Sequence, residues 1–135
     1  MDDAHDGRYA REPQVEDLAR ICQALNDAGA RYILIGGFAV IAHGGAWTTK
    51  DIDLLVDASP ENIVRVKQAL RILEDRAVDQ VADTDVAQYA VVRVADEIVI
   101  DLMARACGIE YAEAARDAIN LTVVVSSFRS QACKP

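Results

Sequence analysis

Two carboxylates, Asp51 and Asp53, stand two residues apart in the apolar run Asp51-Ile52-Asp53-Leu54-Leu55-Val56. On a β-strand successive side chains alternate faces, so both carboxylates point the same way. Side by side on a buried strand they repel each other and lose hydration. A cation between them, usually a metal, offsets that cost, and the pair therefore predicts a metal site. Upstream, the run Tyr32-Ile33-Leu34-Ile35 stops at Gly36-Gly37. Glycines there let the backbone approach a ligand, with the amides of a helix start facing it. Taken alone, such a pair more often marks a tight strand-to-helix corner.

The elements that must position these residues follow from periodicity. Residues 1–12 are polar and read as a flexible N-terminus. Pro13 can open a helix at its first turn, and Glu16 and Asp17 suit the helix's positive end. Val15, Leu18, Ile21, Cys22 and Leu25 fall at helical spacing, and Gly29 is a C-terminal stop. A strand over about 31–35, a brief helix through His43 and a loop of small residues lead to the strand of Asp51 and Asp53. Lys50 alternates to the opposite face from Asp51 and reads as solvent-exposed.

Ser59-Pro60-Glu61-Asn62 is a helix entry, and Ile63, Val66, Leu70 and Leu73 form a stripe to about Asp75. The stretch AVDQVADTD reads as loop with at most a short strand. Gln88–Val94, a turn at Ala95-Asp96 and Glu97–Met103 read as a β-hairpin, with Asp101 alone between Ile100 and Leu102. A helix is predicted from about Glu110 to Ala118, a last strand over 120–125, and a polar tail over 127–135. The domain itself spans 13–126.

A strand ending in Gly-Gly, a short helix, then Asp-x-Asp between apolar residues resembles the nucleotidyltransferase superfamily of DNA polymerase beta. The longer run GGFAVIAHGGAWTTKDIDLLV is similar to a narrower branch, the small bacterial nucleotidyltransferases linked to abortive infection and toxin–antitoxin pairs. The match is at Gly36, Gly37, Ala39, His43, Gly44, Thr49, Asp51 and Asp53, and it fails at an arginine whose place Trp47 takes. The resemblance covers about 31–125. Relatives continue with a helical region rich in lysine and aspartate, which does not follow here.

The resemblance implies an α+β nucleotidyltransferase-like fold, a mixed β-sheet with helices packed on it in a single domain. It further implies transfer of a nucleoside monophosphate from an NTP to an acceptor: a protein, an RNA end or a small molecule. Asp51 and Asp53 would bind Mg²⁺ or Mn²⁺ shared with the triphosphate, and Asp101 would be the third metal-binding carboxylate. The bland reading of Asp101 is a solvent-face residue on an edge strand. Gly36 and Gly37 would hold phosphates through backbone amides, and Thr49 would hydrogen-bond a phosphate. His43 has no second His or Cys at zinc spacing and reads as a packed or capping residue. The loss of the arginine at Trp47 supports an alternative, a noncatalytic antitoxin-like or scaffold module with a degenerate nucleotide site. A homodimer or a toxin partner would suit either reading.

Composition bounds the rest. The chain has 135 residues, 52% hydrophobic, enough for one domain with a real core. The net charge of −8 argues against nonspecific binding to a nucleic-acid backbone but not against a metal-chelated nucleotide. Cys22, Cys107 and Cys133 are scattered without CxxC spacing, which predicts free thiols and a cytoplasmic protein. The charged N-terminus predicts no signal peptide, and no apolar run has membrane-spanning length.

Overall fold

The computed structural model describes residues 10–35, 51–106 and 108–116, and the backbone of 119–123 and 126–130. Gly36, Gly37, Ala39, His43, Gly44, Trp47, Thr48, Thr49, Lys50, Cys107 and Cys133, with the expectations attached to them, lie outside the described residues. So does the start of the N-terminal segment expected to be flexible.

The described part is a mixed α+β domain. Helix α1 spans Val15–Asp27, β1 Tyr32–Ile35, β2 Asp51–Val56 and α2 Pro60–Leu70. A 3₁₀ turn at Ala77–Gln80 and the one-turn helix α3 (Asp85–Gln88) precede β3 (Val92–Ala95) and β4 (Val99–Met103). The short strands β5 (Arg105–Ala106) and β6 (Ile109–Glu110) pair with each other, followed by α4 (Tyr111–Ala114), β7 (Ile119–Val123) and β8 (Ser126–Ser130). The main sheet runs β3-β4-β2-β1-β8-β7. The β2–β4 and β1–β8 pairs are parallel and the others antiparallel.

Alternation along β1, β2 and β4 sends side chains to two apolar clusters. On one face Leu34, Ile52, Leu54, Ile100 and Leu102 pack under Leu18, Ile21 and Leu25 of α1 and Ile63, Val66 and Leu70 of α2. On the other face Ile33, Ile35 and Leu55 meet Ala114 and Tyr111 of α4 and Ile109 of β6. Asp51 and Asp53 share their face with Leu55, so the carboxylates sit at the rim of the second cluster.

Local chemistry explains the ends of the long helices. Asp17 Oδ2 accepts the Gln14 amide at 2.8 Å, satisfying a donor at the start of α1. Pro13 precedes that cap and is not in the first turn. Gly29 follows the helix with φ +71°, the left-handed conformation that suits glycine. Ser59 Oγ accepts the Asn62 amide and Pro60 opens α2, as the sequence predicts. The helix ends at Leu70, and Leu73 remains buried from the turn beyond it.

Several expectations are corrected. Arg11, within the segment read as flexible, forks onto Asp17 and reaches Glu97 at 3.1 Å, so charge pairing pins it. Gln88 closes α3, and the hairpin strand starts only at Val92. AVDQVADTD holds a 3₁₀ turn at its start and the first residue of α3 at its end, with Val78 and Val81 buried in the core. The helix expected over 110–118 is a single turn, Tyr111–Ala114, among the described residues, with Glu110 before it paired to β5 and 117–118 outside the described residues. Residues 127–130 of the stretch read as a polar tail belong to β8, between β1 and β7, and 131–135 lie outside the described residues.

Candidate metal centre

β2 and β4 lie side by side in parallel, with Asp53 directly opposite Asp101. Residues opposite each other share a face, so Asp101 joins Asp51 and Asp53. One oxygen from each of the three carboxylates falls within a common 4.8 Å. β4 is interior to the sheet and Asp101 is 6% exposed, which removes the reading of a solvent-face residue on an edge strand. The same row runs on across the sheet. Arg93 of β3 is opposite Asp101, and Ile35 of β1 is opposite Asp53. Gly36 therefore follows, in sequence, a residue already in register with the carboxylates.

Arg93 is the site residue that sequence reasoning missed. Its Nε donates to Asp101 Oδ1 at 2.9 Å and its Nη2 to Asp101 Oδ2 at 3.1 Å. The same Nη2 reaches Asp51 Oδ2 at 3.2 Å. A turn at Ala95-Asp96 would have set Ala90 opposite Asp101. The connection instead occupies residues 96–98 and brings Arg93 into that place. Only the register could have revealed it.

The electrostatics follow from burial and crowding. Burial, then the charges of Asp51 and Asp101, push Asp53 up to about 6. Asp51 is also raised, first by burial and next by Asp101, while Arg93 opposes the rise. The fork to Asp101 holds the Arg93 guanidinium more firmly protonated than usual. Among the described residues, the ion pairs of Arg93 go to Asp101 and Asp51 and leave Asp53 without a cation.

The donor set fits a hard divalent cation. Mg²⁺ and Mn²⁺ take carboxylate oxygens, and the set contains no thiol or imidazole that would favour zinc. Three like-charged carboxylates, two half-buried and one buried, are also what a cation would relieve. A hollow of about 480 Å³ bounded by Val86, Tyr89, Ala104 and Glu110 is lined by none of the three. Among the described residues no helix is long and apolar enough to cross a membrane. Compared with protein-family models, with curated proteins and with solved structures, the chain finds no significant match in any of the three.

Proposed function

We propose that the chain is a metal-dependent nucleotidyltransferase that moves a nucleoside monophosphate from an NTP to an acceptor hydroxyl. The observation that carries this reading is the convergence of Asp51, Asp53 and Asp101 from two neighbouring strands within 4.8 Å. The Gly36-Gly37 pair next in sequence to Ile35, and the resemblance to the nucleotidyltransferase superfamily, support it further. Mg²⁺ or Mn²⁺ held there supplies Lewis acidity and charge neutralisation at the triphosphate.

Within this reading Asp51 and Asp53 hold and orient the cation from one strand. Asp101, buried on β4, completes the metal-binding trio and helps take the proton of the acceptor hydroxyl. Gly36 and Gly37 cradle the leaving phosphates through their amides, and Thr49 donates to a phosphate oxygen. The acceptor oxygen bonds to the α-phosphorus as the bond to pyrophosphate breaks. A protein, an RNA end or a small molecule can serve as acceptor.

One observation favours a second reading. The Arg93 fork neutralises Asp101 without any metal, as a noncatalytic module with a degenerate site would require. Incubation with α-labelled and γ-labelled NTPs and cell lysate separates the two. The enzyme transfers the α-label to an acceptor, leaves the γ-label in pyrophosphate, and loses transfer in Asp53→Asn. A module transfers neither label.

A further inference from the structure

Arg93 stands inside the carboxylate cluster as a cation of the protein's own. Its two-point fork on Asp101 is the geometry that matches a guanidinium to a carboxylate. Both oxygens of Asp101 are engaged in that fork, and Asp51 shares the Nη2 donor. A divalent cation seeks these same oxygens, and at such short range it is repelled by the guanidinium. Three carboxylates and one guanidinium carry −3 + 1 = −2 in formal charge, so the cluster without metal is only partly neutralised. Arg93 is also placed to yield. Its side chain is 53% exposed, and β3 is at the edge of the sheet.

Resting on the metal reading above, we infer that Arg93 is a resident cation that competes with the divalent metal for Asp101 and thereby sets the metal affinity of the cluster. The guanidinium holds Asp101 and Asp51 together in the metal-free fold and releases Asp101 as the metal arrives. Arg93 is thus a positioning residue, acting through the carboxylates it orders. Metal affinity is kept below what three free carboxylates would give, so the site loads most readily when the cation arrives with a phosphate ligand of its own.

Mn²⁺ binding, read from loss of the free-ion EPR signal, tests this on the full chain without any substrate. Arg93→Gln should bind Mn²⁺ about tenfold tighter than wild type, because one positive charge has left the cluster. Arg93→Lys keeps the charge but loses the fork, and its affinity should lie between the two. Adding Asp101→Asn to Arg93→Gln should remove most of the gain, since the competition is for Asp101. If Arg93→Gln does not fold, Arg93→Lys carries the test, and an affinity no tighter than wild type counts against competition. If wild type binds Mn²⁺ through Asp53, yet both Arg93 variants bind equally or more weakly, the competition is overturned and the metal reading stands. If neither wild type nor Arg93→Gln binds Mn²⁺ better than Asp53→Asn, the metal reading fails and this inference falls with it.

Discussion

Asp53 and Asp101 are register partners with opposite surroundings, and the difference separates their variants. Asp53 has two like charges beside it and no paired cation among the described residues. Asp101 is buried and doubly bonded to Arg93. In EDTA, Asp53→Asn should leave stability equal or higher, whereas Asp101→Asn should lower it by about 1–2 kcal/mol by stripping a charge-assisted fork. Urea unfolding of both variants reads the contrast. The pH dependence follows from the same crowding. With its folded pKa raised to about 6, Asp53 keeps its proton in the native state where the unfolded chain, near 3.9, has lost it. The native state then binds more protons, so the contribution of this group to stability falls as pH rises from about 4 to about 6. Below that window the penalty is absent, and excess Mg²⁺ should reduce it above. Thermal unfolding across pH 4–7 in EDTA and in Mg²⁺ checks this, with Asp53→Asn losing that component. The Asp51/Asp53 face was legible from strand alternation alone. Asp101 needed the resemblance, and Arg93 was hidden because its role depends on hairpin register, which a turn one residue longer changes completely.

Among the elements, the β3–β4 connection is the tie point of the fold. Asp96, 2% exposed, accepts the backbone amides of Asp75 and Ala77 at 2.8 Å and of Glu97 at 2.7 Å. It thereby holds the segment after α2 against the hairpin that presents Arg93 and Asp101. Asp96→Ala leaves these donors without their acceptor and should cost about 3 kcal/mol, with Asp96→Asn costing less. Asn62 does the same at the other end of α2, bonding Arg31 N, Arg31 O and Asp57 O from a fully buried position. Asn62→Ala should cost about 2–3 kcal/mol in urea unfolding. Both long helices were legible because their apolar stripes are local signals, as is the Ser59-Pro60 entry of α2, whereas the Gln14–Asp17 cap of α1 was not read. The region after β4 was not, since Ile109 and Glu110 follow a pairing with β5 that no local pattern announces. The order β3-β4-β2-β1-β8-β7 was equally hidden, being set by contacts between distant segments.

For the whole molecule, the sheet divides two kinds of work. One face is closed by α1 and α2 over a continuous apolar cluster, which gives the strands a rigid base. The other face carries a smaller cluster and, at its rim, the row Arg93–Asp101–Asp53–Ile35. Rigid strands fix the spacing of the carboxylates, as the proposed metal-dependent reaction would demand. The net charge of −8 would repel a bare polyphosphate, so on the proposed reading an NTP should enter with its cation. The most direct test of the account is the melting temperature of wild type and Asp53→Asn, each in EDTA and in excess Mg²⁺ with a nonhydrolysable NTP. A ligand that binds only the folded site stabilises it by mass action, about 2.7 kcal/mol at a hundredfold excess over Kd. The account predicts a clear upward shift for wild type that requires metal and nucleotide together, and no shift for Asp53→Asn. Wild type melting at the same temperature in both solutions, or the two proteins shifting equally, would contradict it.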